Sequence, residues 1–247
     1  MIGFFLLAFV ATLLSTVVGF GSGILLVAGG TLFFEVKWSI ALATHLFLFN
    51  TWWKTVGLWP HVEKRIALTI LITALPATWL GARFLLESSG IWIERILGLI
   101  ILVDLLVDTM SRRRTRGSHD REDKQASGKL SGSKVALTGA AYGWLSGAVG
   151  SGSVVKAMVF RRAGWPHQTF VATMAATALL LNILKVAVFW KARLVGPSDV
   201  PWIAGLLAVS WLGVGVGRRW LASIQPGHAA VLVRFMLGAV ALRLLLA

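Results

Sequence analysis

The chain has 247 residues, 57% of them hydrophobic and only 14% charged, with a mean hydropathy of +0.78. A soluble domain carries about 25% charged residues, so this composition excludes a water-soluble enzyme or binding module. The net charge of +14 falls mostly in short loops and at helix ends, which is how a membrane protein orients itself rather than how a protein grips nucleic acid.

The first apolar segment covers residues 3–18. Met1 to Phe20 lacks a basic n-region and a small-residue cleavage site, so it reads as mature protein rather than as a signal peptide. A break follows at Gly19-Phe20-Gly21-Ser22-Gly23, and then a short segment at 23–34. Longer apolar segments occupy 38–59, 66–86 and 91–110. Runs of about 18 or more apolar residues predict helices that span a bilayer.

Residues 111–134 are hydrophilic, with Arg112, Arg113, Arg114, Arg116, Arg121, Lys124, Lys129 and Lys134 diluted by Asp120, Glu122 and Asp123. They predict a flexible, solvated cytoplasmic linker between a first membrane repeat, 1–110, and a second, 135–247. In the second half, apolar segments cover 135–149, 154–163, 168–190, 200–217 and 229–246.

The halves resemble each other. Ser15-Thr16-Val17-Val18-Gly19-Phe20-Gly21-Ser22 matches Ser146-Gly147-Ala148-Val149-Gly150-Ser151-Gly152-Ser153. Lys54 and Trp59 match Lys185 and Trp190 at the same shift, and Gly81 and Arg83 have looser counterparts in Gly217 and Arg219. Segments 23–34 and 154–163 would be roughly 18 and 15 Å long as helices, against a hydrocarbon core of about 30 Å. Each is therefore expected to pair with the segment before it as a re-entrant or short-helix hairpin.

A hairpin returns to its own side, which leaves three full crossings per half. Three is odd, so the second half is expected to be inverted relative to the first. If the hairpin arms span fully, five crossings are also odd. The predicted fold is thus an all-α integral membrane protein of two inverted repeats, each a hairpin plus three transmembrane helices. With the linker in the cytoplasm, Lys64, Arg65, Arg161, Arg162, Arg218 and Arg219 also fall inside, and the outer side receives Lys37, Arg83, Arg95, Lys191 and Arg193.

The two Gly/Ser breaks carry the expected chemistry. Backbone without helical pairing inside a membrane is tolerated only against protein or a polar cavity. Each break opens a short helix, whose N-terminus offers free N–H groups and a positive dipole end. Two such ends near the midplane would form an anion site. The candidate substrate-binding residues are Gly19, Gly21, Ser22, Gly23, Gly150, Ser151, Gly152, Ser153 and Lys156. One Gly-rich break alone would read as close helix packing, and its duplication at matching positions favours the anion site.

Lys156 lies in the first turn after the second break, where a cation is doubly unfavourable unless an anion is present; its alternative is snorkelling toward the interface near Arg161. Lys54 and Lys185, with Trp59 and Trp190, read as interfacial anchors. His45, Asn50 and Asn182 form a second tier, as helix–helix hydrogen bonds or, for His45, a proton-coupling group. Asp104 and Asp108 are expected to pair with basic residues at the cytoplasmic interface.

No cysteine, metal-ligand spacing, Walker-type loop or nucleophile elbow occurs, so neither an enzyme, a metal site, a cofactor nor ATP drive is expected.

Both breaks are followed by a helix with an Ala-Thr pair near its start, Ala43-Thr44 and Ala172-Thr173. With those residues the chain resembles the TauE/SafE family of sulfite and organosulfonate exporters over nearly its whole length, the linker excepted. Family members usually show a run such as Gly-Ile-Gly-Gly-Gly followed by a proline. This sequence has Phe20 and Ser22, then Ser151 and Ser153, and lacks the proline in both halves.

The resemblance implies a multi-pass protein of the bacterial inner membrane. It would export a small sulfur oxyanion, sulfite or an organosulfonate such as sulfoacetate, by alternating access. An anion channel and an uptake permease for a related anion are the alternatives. The expected partners are the small anionic substrate and the lipid bilayer, with no nucleic acid; a homodimer stays open.

Overall fold

The computed structural model describes residues 2–18, 22–116, 131–161, 163–220 and 226–246. Among them the chain forms ten α-helices and no strand: α1 (Ile2–Val18), α2 (Ser22–Gly30), α3 (Val36–Leu58), α4 (Lys64–Glu87), α5 (Gly90–Arg116), α6 (Gly132–Val149), α7 (Ser153–Arg161), α8 (His167–Lys191), α9 (Val200–Trp220) and α10 (Pro226–Leu246). Short 3-10 turns at Trp59–His61 and Pro197–Asp199 lead into α4 and α9.

The protein is an all-α membrane protein. Helical segments at 64–87, 167–191 and 197–216 are long and apolar enough to cross a membrane, and α1 and α10 carry shorter apolar stretches. Exposed side chains on the long helices are themselves apolar, among them Leu68, Ile72, Leu99, Leu180 and Trp211. Such an exterior suits lipid rather than water.

Helices α2 and α7 have nine residues each, about 14 Å at helical rise and half the hydrocarbon thickness. Helix α5 runs on to Arg116 and α6 starts at Gly132, so helix extends into both ends of the hydrophilic segment.

The chain packs as two compact units that interleave segments from both sequence halves. Unit 1 comprises 1–47, 86–102 and 189–247. Here α1 packs along α9, and α1 and α2 both touch α10. A Cβ at Gly213 of α9 would press on the Phe9 carbonyl of α1, 3.1 Å away, and one at Gly98 of α5 on the Ala241 carbonyl of α10, 3.2 Å away. Polar ends are tied to backbone: Lys37 donates to the Leu86 carbonyl at 2.9 Å and Arg243 to the Thr31 carbonyl at 3.2 Å.

Unit 2 comprises 48–85 and 103–188. Gly139, Gly143 and Gly147 recur every fourth residue of α6 and therefore share one face. That face lies directly on α4. A Cβ at Gly143 would overlap the Ala74 carbonyl, one at Gly139 the Thr73 hydroxyl, and one at Gly147 the Thr78 carbonyl. Small residues let membrane helices approach this closely, and the approach gains van der Waals contact where lipid offers no hydrophobic driving force. Thr78 seals the contact by donating to the Gly143 carbonyl at 3.1 Å. Ile70, Ala74, Val135, Tyr142, Phe160 and Leu181 form the core beside it.

Candidate functional site

The second Gly/Ser break lies in unit 2, between α6 and α7. Gly150 ends α6 in the left-handed conformation, φ 71°, which glycine adopts without the Cβ penalty. Gly152 is buried against α6, where a Cβ would stand 2.9 Å from the Tyr142 carbonyl. Ser151 is buried, whereas Ser153, the first residue of α7, is exposed. The break is thus a tight reversal that folds α7 back along α6.

Lys156 lies in the first turn of α7 and is only 1% exposed. Snorkelling toward Arg161 is therefore overturned. Its ammonium points to α8 instead, donating to the Met174 carbonyl at 2.8 Å and the Thr177 hydroxyl at 2.8 Å. It also stands 4.1 Å from the centroid of the Tyr142 ring on α6. Thr177 in turn donates to the Thr173 carbonyl at 2.8 Å, so its oxygen is free to accept from the lysine. These partners solvate the ammonium, but no carboxylate among the described residues forms an ion pair with it.

Lys185 departs from its expected role. It is 1% exposed, so it does not reach for the interface as an anchor. It lies about two helical turns beyond Thr177 on α8. Its repeat counterpart, Lys54, is exposed, as an anchor would be. Packing thus treats differently two lysines that match each other in sequence. The burial of Lys185 was not foreseen from the sequence; the available signal was a lysine placed eight residues after Thr177, well inside a long apolar helix.

Asn182 donates to the Thr51 hydroxyl of α3 at 3.4 Å, a helix–helix bond. Asn50 is half-buried on α3. Neither makes a described contact with Lys156.

The first break lies in unit 1. Gly19 and Gly21 fall outside the described residues. Ser22 and Gly23 open α2, but their side-chain surroundings also fall outside them, as do those of Asp104 and Asp108. His45, also in unit 1, is held on both sides: Nδ1 lies 2.8 Å from the Ala41 carbonyl and Nε2 2.9 Å from the Trp190 indole nitrogen. The indole can only donate, so Nε2 accepts and Nδ1 carries the proton. Trp190 therefore faces inward, against its expected place in an interfacial belt. Among the described residues no group of His, Cys, Asp or Glu could hold a metal ion.

The family model described as Sulfite exporter TauE/SafE matches residues 4–244. No curated protein and no solved structure gives a significant match. A match over nearly the whole chain, on an all-helical apolar fold, places this protein in the TauE/SafE sulfite exporter family, a family of membrane transporters rather than enzymes.

Proposed function

We propose that the protein exports a small sulfur oxyanion, sulfite or an organosulfonate such as sulfoacetate, across the bacterial inner membrane by alternating access. The observation that carries this reading is the buried ammonium of Lys156, one helical turn from the Gly/Ser break and without a carboxylate partner among the described residues. An intramembrane cation is costly, and cations of this kind mark ion and substrate paths. The α7 N-terminus adds its own positive end, and Lys185 is a second buried lysine on α8. An anion entering beside Ser151, Ser153 and Lys156 would offset this positive charge. Lys156 is sealed in this state, so the anion would gain access only when the unit opens.

The helix order supports two inverted repeats. Helices α1–α5 and α6–α10 follow one pattern, a long helix, a nine-residue helix and three long helices. In unit 2 the fourth helix of the first half, α4, covers α6, the first of the second half. In unit 1 the fourth helix of the second half, α9, covers α1, the first of the first half. This reciprocal exchange is the pattern expected of inverted repeats. Outward movement of an anion from a negative-inside cell is favourable by about 2.3 kcal/mol per charge per 100 mV.

Proteoliposomes loaded with sulfite test the reading. Efflux should saturate, should be stimulated by sulfite on the opposite side, and should fall at least tenfold in Lys156→Met. Unsaturable anion current without exchange would make the protein a channel, and no sulfite or sulfonate movement would refute the proposal.

A further inference from the structure

At the surface of unit 1 lies an open, shallow cavity of about 490 Å³ that the transport reading does not use. It is lined by the loop from α2 to α3, the end of α8 and the start of α9. Its walls are three rings held edge to face: Phe34 and Trp38 at 4.5 Å, Phe34 and Trp202 at 5.3 Å, Trp38 and Trp202 at 5.6 Å. Trp202 is fixed from behind by stacking on Phe5 at 5.4 Å.

Two opposite charges also line it, Glu35 and Arg193. Neither forms an ion pair with the other or with another described residue. Arg193 has φ 55°, the only non-glycine among the described residues with positive φ. Its N–H bonds to the Trp190 carbonyl and that of Leu194 to the Phe189 carbonyl, the pattern that closes a helix with a left-handed residue. Glycine is the usual occupant of that position, and an arginine there is strained. The strain is tolerated at the one residue that brings a guanidinium to the cavity, and outliers of this kind cluster at ligand clamps.

We propose that this cavity binds a zwitterion, an ammonium joined by a short linker to an oxyanion. The aromatic faces and the Glu35 carboxylate would take the ammonium, and the Arg193 fork would take the oxyanion. A phosphoethanolamine lipid head group and a small free zwitterion share this chemistry. The cavity lies at helix ends, the level where Trp residues meet lipid head groups.

The test uses the full chain in nanodiscs of phosphatidylethanolamine or phosphatidylglycerol, with and without soluble phosphoethanolamine. Thermal unfolding reports binding, because a ligand of the folded state raises the midpoint. The expected result is a higher midpoint in phosphatidylethanolamine, lost in Glu35→Gln and in Arg193→Gly. A rise only with soluble phosphoethanolamine, lost in the same variants, assigns the site to a free zwitterion. Arg193→Gly relieves the backbone strain, so its midpoint in phosphatidylglycerol should match or exceed that of the parent chain. Loss of the ligand response in this variant is therefore not loss of fold. No response to either form, or a response unchanged in both variants, overturns the proposal.

Discussion

The ammonium of Lys156 rests 4.1 Å from the centre of the Tyr142 ring, so α7 and α6 are joined by a cation over an aromatic face next to the break that connects them. A desolvated contact of this kind contributes about 2 kcal/mol. Tyr142→Leu should lower stability by about that amount, and Tyr142→Phe, which keeps the face, by clearly less. Thermal unfolding in detergent measures both. Equal losses would show that the ring face does not hold the lysine.

The glycine face of α6 makes a second prediction. Gly143→Ala drives a methyl group into the Ala74 carbonyl and pushes α6 away from α4. Overpacking of this kind costs about 1–3 kcal/mol, and the Thr78 bond to the Gly143 carbonyl is strained with it. Gly57→Ala on α3, where nothing lies within 4 Å, should leave stability unchanged or slightly higher. A Gly143→Ala protein as stable as the parent would contradict the packing.

His45 and Trp190 make a third. The Nδ1–H tautomer is fixed by the bonds to Ala41 and Trp190. Trp190→Phe leaves the Nε2 acceptor without its donor, a loss of about 1 kcal/mol. His45→Gln should keep both anion affinity and its pH profile while lowering the unfolding midpoint. A flattened pH profile would instead assign proton coupling to His45.

Topology is open to direct labelling, because the chain has no cysteine of its own. A cysteine replacing Ser127 should react only from the cytoplasm. One replacing Ser198, exposed in the turn before α9, should react only from outside. The reverse pattern would invert the orientation.

The ten apolar segments read from composition match the ten helices, because bilayer thickness and hydropathy leave little freedom to a span. The ends were less legible. Helix α5 extends to Arg116 because arginine and serine propagate a helix already nucleated by an apolar run, whatever their hydrophilicity.

The break at Gly150–Ser153 was visible as a glycine cluster repeated in both halves. The stripe of Gly139, Gly143 and Gly147 was also written in the sequence, but a search for apolar runs passes over it. Only the four-residue spacing of small side chains betrays a helix contact.

Lys185 and Trp190 show what a linear rule misses. Basic and aromatic residues near a helix end suggest an interface, yet packing buries Lys185 and turns Trp190 toward His45, 145 residues away in sequence. Long-range pairing of that kind leaves no local pattern.

The most direct measurement is anion binding to the purified protein, followed by thermal unfolding with sulfite, sulfoacetate, sulfate and chloride on the parent chain, Lys156→Met and Lys185→Met. Sulfite or sulfoacetate should stabilise the parent chain beyond chloride, with the effect abolished in Lys156→Met and weakened at least tenfold in affinity in Lys185→Met. An absence of stabilisation by every anion, or an equal response in Lys156→Met, would contradict the proposed anion site.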